Sequence, residues 1–135
     1  MDRASSAPYM KTMRSLFHPS VDDISVEGIL HALSDPIRVG IFVQIAGGQC
    51  AQPCAAFLEF ADRSVPKSTL SQHFKVLREA GLIRSERRGV ELLNTTRCEE
   101  ISERFGPLLS SIVAAYQDEL ERAKKAKKKA VRRAA

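Results

Sequence analysis

The stretch "STLSQHFKVLREAGLIRSERRGVELLNTT", Ser68 to Thr96, constrains the fold more than any other part of this chain. Leu70, Phe74 and Leu77 recur at i, i+4 and i+7, which places them on one side of a helix. Gly81 then supplies a stop suited to a helix C-terminus. "IRSERRGVELLNTT" reads as two short strands around Arg88-Gly89, where the turn needs a residue that tolerates positive φ. A helix followed at once by a small, polar-tipped hairpin suggests the second half of a winged helix-turn-helix.

The upstream sequence fits that reading. "ISVEGILHALSDPIRVGIFVQIAGG" reads as two helices. The first runs from about Ser25 to Leu33, with Val26, Ile29, Leu30 and Leu33 along one face. Asp35 is placed to cap the second, and Pro36 to open it where a missing N–H costs nothing. That helix carries Ile37, Ile41, Phe42 and Ile45 and stops at Gly47-Gly48. Pro53 is expected to open a short helix, "CAAFLEFA", with Phe57, Leu58 and Phe60, and "DRSV" makes a tight connection. The recognition helix spans about Pro66–Ala80 and the hairpin 83–94 forms the wing. Thr96 and Glu99 fit a capping box that opens a long last helix. At the other end, "PYMKTMRSLF" has helical spacing, and His18-Pro19 ends it. The fold class is mainly α. The expected divisions are an arm with a short helix over 1–20, a winged-helix domain with its C-terminal helix over 21–123, and a basic tail over 124–135.

Length and charge set the outer bounds. The chain has 135 residues, which fits one domain, and at 44% hydrophobic it buries only a modest core. Its net charge of +5 is uneven: the tail from Lys124 carries seven positive charges and no negative one, leaving −2 for residues 1–123. The simplest expectation for such a tail is a solvated, disordered extension; the alternative is a sequence-independent grip on phosphates. No apolar run approaches the ~20 residues of a membrane helix, and the N-terminus lacks the apolar core of a secretory signal. The expected location is the cytoplasm, where thiols stay reduced, and three cysteines do not suggest a disulfide framework.

The face of Pro66–Ala80 opposite Leu70, Phe74 and Leu77 carries the chemistry. Ser68, Gln72, Lys75 and Glu79 lie there, with Thr69 and Ser71 flanking. Gln pairs bidentately with adenine, Ser and Thr serve base or phosphate, and Lys reaches guanine or phosphate. Lys67 and Arg78 sit to the side, placed for the phosphate backbone, and Arg84, Arg87 and Arg88 give the hairpin a phosphate or minor-groove contact. The plainer alternative is a solvated surface helix. His73 lies beside the apolar stripe and is expected to be half-buried and bonded to nearby backbone. No Ser/His/Asp set, paired carboxylates or Gly-rich phosphate loop points to an enzyme, a cofactor or a metal.

"LHALSDPIRVGIF" followed by "STLSQHFKVLREAGLIRSERRGVELLN" closely resembles the ArsR-type (ArsR/SmtB-like) winged-helix transcriptional regulators, over about residues 24–120. The resemblance implies a homodimer on a twofold double-stranded DNA operator, most often a repressor released by a small inducer, metal or oxidant. It implies a dimer built from the first and last helices. The last helix offers Ile101, Phe105, Leu108, Leu109, Ile112, Val113, Tyr116 and Leu120 for that purpose. Metal sensors of this type carry a cysteine pair in an "ELCVCD"-like box or Asp, His and Glu ligands on the last helix. This chain has neither: its histidines are His18, His31 and His73, and the matching cysteine region reads "CAQPCAAF". Cys50, Cys54 and Cys98 remain open to three readings. They are small apolar residues, a thiol redox switch helped by helix N-termini, or three thiolates for trivalent arsenic. A further alternative is a protein-interaction module on the same scaffold without DNA binding.

Overall fold

The computed structural model describes residues 16–48, 52–53, 59–60 and 63–134. Its first regular element is a 3-10 turn, Val21–Asp23. Helix α1 (Val26–Ala32) is capped by Ser25, whose hydroxyl accepts the Gly28 N–H at 3.1 Å. Helix α2 (Pro36–Gly47) starts as expected: the Asp35 carboxylate accepts the N–H groups of Ile37 and Arg38 at 2.8 and 3.0 Å, satisfying donors that a helix start leaves orphaned. The two helices meet at a bend of 104°. Gly40, Ile41, Phe42, Val43 and Ile45 of α2 are all buried, so α2 is the central helix of the core rather than an amphipathic surface one. No single described helix is long and apolar enough to cross a membrane.

Three two-residue strands follow: β1 (Gln52–Pro53), β2 (Glu59–Phe60) and β3 (Arg63–Ser64). Helix α3 (Lys67–Glu79), strands β4 (Ile83–Arg88) and β5 (Glu91–Thr96), and helix α4 (Cys98–Ala134) complete the order. The hairpin runs antiparallel from Ile83 opposite Thr96 to Arg88 opposite Glu91, with Gly89 at φ 63° in its two-residue turn. β1 adds to the other edge of β5, with Gln52 opposite Asn94, so the wing belongs to a three-stranded sheet. α3 ends in a paired cap: Leu82 N–H donates to the Leu77 carbonyl and Gly81 N–H to the Arg78 carbonyl, which needs Gly81 at φ 86°. The core gathers Ile29, Phe42, Phe74, Leu77, Leu82 and Ile101, none more than 1% exposed.

Several expectations need correction. The short helix over "CAAFLEFA" does not hold at its described end, where Glu59–Phe60 pairs antiparallel with Arg63–Ser64. Eight residues are too few for helix propensity alone to prevail, and Arg63–Ser64, expected within the "DRSV" connection, is the partner strand. Thr96 does not cap α4. It stays in β5 opposite Ile83, and Arg97 sits at the cap position, its carbonyl accepting the Ile101 N–H. The basic tail is not disordered, and α4 has no break at residue 123. The helix continues through the Ala, Lys and Arg residues up to Ala134, all good helix formers, with positive charge at the end the helix dipole favours. Of the N-terminal helix foreseen in "PYMKTMRSLF", Leu16 and Phe17 are not helical, and the remainder lies outside the described residues.

Candidate nucleic-acid interface

α3 is fixed by its inner face and open on its outer one. Leu70, Phe74 and Leu77 are at most 2% exposed. Lys67, Ser68, Thr69, Ser71, Gln72 and Lys75 are all exposed. The outer side therefore presents hydroxyls, an amide and ammonium groups over its first turns, and Glu79 closes it at the C-terminal end. Two further clamps hold the helix. Arg38 of α2 donates from Nε to the Ala32 carbonyl (2.8 Å) and from Nη2 to the His31 carbonyl (3.3 Å), tying α2 to the C-terminus of α1. Its Nη1 lies 3.4 Å from His73 Nδ1, and Asp35 Oδ2 lies 4.0 Å from the same nitrogen. His73 is thus partly buried as expected, but its partners are side chains on the neighbouring helix start. Burial opposes ionisation of Asp35, yet the N–H groups of Arg38 and Ile37 and the nearby His73 and Arg38 hold its carboxyl below the usual range.

At the other end of α3, Arg78 is half-buried and donates from Nη1 to Ser85 Oγ at 3.3 Å. It braces the helix to the wing. The Ser85 hydroxyl donates onward to Asn94 Oδ1 at 2.6 Å, and Asn94 Nδ2 donates to the Leu92 carbonyl. Ser85 is 3% exposed and Asn94 0%, so the wing root is a satisfied buried polar network that fixes the strand register. His18 reaches the same place: its Nε2 accepts the Ser85 N–H at 3.0 Å. Burial first, then the charges of Arg84, Arg97 and Arg78, push the His18 pKa below its ordinary value. The neutral ring is also the form that can accept this bond.

Of the wing arginines, Arg87 and Arg88 are exposed near the tip. Arg88 lies 3.7 Å from Glu86 with both side chains mostly in solvent, a contact too weak to withhold it. Arg84 is different: its Nη2 donates to both Glu100 oxygens, at 3.1 and 3.0 Å. The Arg84 guanidinium, opposed by burial and aided by Arg97, holds the Glu100 carboxyl below its usual range. Arg84 therefore joins the wing to α4. Arg97 is 3% exposed, donates from Nη1 to the Pro19 carbonyl at 2.8 Å, and also bonds Glu100.

Cys50 and Cys54 lie outside the described residues. Cys98 is the first residue of α4, but burial pushes its thiol up, which reverses the expectation that the helix start would activate it. The apolar face of α4 divides. Ile101, Phe105 and Leu109, at i, i+4 and i+8, are buried in the protomer's own core, so they are not free to form a dimer surface. Leu108, Val113 and Tyr116 are partly buried against that core, Ile112 is half-buried, and Leu120 is 44% exposed. His18, Arg38, Ser85, Asn94 and Arg97 were not singled out from the sequence. Only Ser85 had a local signal, as the buried alternate of Ile83 in β4.

A family described as a helix-turn-helix domain matches residues 33–86. The HTH-type transcriptional repressor SmtB of Mycobacterium tuberculosis, in two strains, is 36% identical over 66 residues. The match covers 48% of this chain and 45% of the repressor, so the chain spans less than half the length of that relative. Among solved structures, Rv0081 of M. tuberculosis superposes with a TM-score of 0.50 at 21% identity, covering 85% of this chain and 99% of that one, a likeness of fold. An ArsR-like transcriptional regulator from Rhodococcus sp. RHA1 gives a TM-score of 0.49 at 21% identity, over 73% and 89% of the two chains.

Proposed function

Since the chain belongs to the ArsR/SmtB-type helix-turn-helix regulators, we propose that it binds double-stranded DNA as a homodimer and represses transcription from a twofold operator. The observation that carries this reading is the division of α3. One face is locked into the core, and the other offers Ser68, Ser71, Gln72 and Lys75 to solvent, with no side-chain partner among the described residues to consume them. In the major groove, Gln72 is the adenine reader and Lys75 reaches guanine or phosphate, while Lys67, Ser68, Thr69 and Ser71 hold the strand at the helix start. Arg87 and Arg88 contact phosphate or the minor groove from the wing.

The dimer reading draws support from apolar surface left uncovered on one protomer. Phe17 is 66% exposed, and Val26 and Leu30, four apart on α1, are 48% and 51% exposed. On α4, the half-buried Ile112 and the exposed Leu120 extend the apolar face beyond Ile101, Phe105 and Leu109, and Val113 and Tyr116 are only partly covered by the core. A shallow groove of about 400 Å³ runs there, where the small Ser102, Gly106, Ser110 and Ala114 lie among larger residues such as Leu109 and Val113 and give a second helix room to approach. A twofold pair places its two α3 helices about 34–36 Å apart, one DNA turn.

Fluorescence anisotropy with the gene's own promoter region tests the proposal. Specific binding above a random duplex, lost in a Gln72→Ala/Lys75→Ala double variant, is the expected result. A variant that keeps full promoter affinity would instead favour a protein-interaction role for the scaffold, and no specific binding by the unaltered chain would sink the reading.

A further inference from the structure

The winged-helix body is not cationic. Residues 1–123 carry −2 of a total of +5, and all seven charges that reverse the sign lie between Lys124 and Arg133. The structure places these seven on the exposed end of α4, where every residue from Gln117 to Ala134 is in solvent. At a rise of about 1.5 Å per residue, they occupy about 14 Å of helix, roughly one charge per 2 Å. A DNA duplex carries one phosphate per about 1.7 Å of axis, so the two linear charge densities nearly match. Projected around the helix, Ala123, Ala126, Ala130 and Ala134 share one side, and the cations occupy most of the remainder.

We propose that this basic end of α4 is a second, sequence-independent DNA-binding element that supplies most of the general affinity for duplex phosphate, leaving α3 to discriminate sequence. The proposal rests on the DNA-binding reading above. A net-negative body is repelled by a polyanion at long range, and the helical extension reverses the sign of that field. Its cations also lie at i and i+4 (Lys124 with Lys128, Lys125 with Lys129, Lys128 with Arg132, Lys129 with Arg133), a repulsive arrangement that bound phosphates relieve. The composition points to a polyanion in water rather than a lipid surface. An interfacial helix needs a face of large apolar residues, and here the only large one is Val131, 64% exposed.

The test compares the full chain with a variant in which Lys124, Lys125, Lys127, Lys128 and Lys129 are changed to Gln, which keeps good helix formers. Probes are the promoter duplex, a 30-base-pair random duplex and phosphatidylserine-containing vesicles, titrated across salt. The variant should bind both duplexes more weakly by similar factors, keep the ratio between them, and show a slope of log affinity against log salt shallower by about 3–5. Unchanged affinity and slope for the random duplex would overturn the proposal, as would a variant that loses only vesicle binding. Because the Gln72→Ala/Lys75→Ala variant removes the promoter preference while the tail variant removes the general affinity, the two readings fail separately. Random-duplex binding lost with the tail, in a chain showing no promoter preference, would support this element and refute only operator recognition.

Discussion

Replacing Gly81 with Ala should cost more than its size suggests. Gly81 stands between α3 and β4 at φ 86°, and a Cβ there would fall 2.3 Å from Ile24 Cδ1 and 2.5 Å from its Cγ1. Two separable penalties follow. A non-glycine residue in the left-handed region costs roughly 1–2 kcal/mol, and forcing a methyl into a filled core costs about 1–3 kcal/mol, for a total of about 2–5 kcal/mol. Ile24 is 3% exposed, so it cannot swing into solvent to make room. Against a total stability of about 5–15 kcal/mol, this is a large loss. Urea unfolding followed at 222 nm measures it, with the slope m unchanged. Adding Ile24→Ala isolates the steric part, because the truncation removes the atoms in the way. It should cost less in the Gly81→Ala background than alone, by about 1–3 kcal/mol. A loss below about 1 kcal/mol for Gly81→Ala, or strict additivity of the pair, refutes the reasoning.

His18 predicts a pH dependence. Its pKa is lowered in the folded state, first by burial and then by Arg84, Arg97 and Arg78, so on acidification the unfolded chain takes up the proton first. Its contribution to stability is complete above the unfolded value of about 6.5 and is lost as pH falls through the lower folded value. A His18→Leu variant should flatten the decline of melting temperature over that window, and an unaltered profile would count against the Ser85 contact. Arg97→Met should cost about 1–3 kcal/mol, because it strands the Pro19 carbonyl, whereas Arg84→Ala should cost no more than about 1 kcal/mol, because its pair with Glu100 is partly solvated. The reverse order in denaturant unfolding would be decisive against this ranking. Asp35→Ala removes the α2 cap and should lower stability by about 0.5–2 kcal/mol, with the wild-type advantage fading in acid as the carboxylate is protonated through its lowered pKa. Equal urea midpoints for the two proteins would contradict it.

What was legible in the sequence was local. The Asp35-Pro36 start of α2, the Leu70/Phe74/Leu77 stripe, the Gly81 stop and the positive φ of Gly89 each rest on interactions within a few residues and are where the sequence suggested, whereas the hairpin turn falls one residue later, at Gly89–Val90, with Arg88 paired opposite Glu91. The outward face of α3 follows from the same periodicity. Thr96 was misjudged because β5 runs two residues past the expected end of the wing at 94, which keeps Thr96 paired with Ile83. The helix expected over "CAAFLEFA" gives way to strand at its described residues, Glu59–Phe60, because short apolar runs do not distinguish helix from strand. Arg78 and Arg84 looked like free cations because nothing nearby in sequence reveals Ser85 or Glu100 as their partners. Part of the α4 face was assigned to a second subunit because periodicity shows that a face is buried but not by what.

The contacts of the segment before α1 bear on how the chain folds. His18 bonds a residue 67 positions away, the Pro19 carbonyl one 78 away, and the Val21 carbonyl accepts from Arg104, 83 positions on. Closing loops of that length brings no return until β4, β5 and the start of α4 exist to receive them. The segment before α1 is therefore synthesised ahead of the elements it bonds but is among the last to dock, after the helices and the hairpin have formed from their own near neighbours. Substitutions at His18 should accordingly speed unfolding and leave the refolding rate almost untouched.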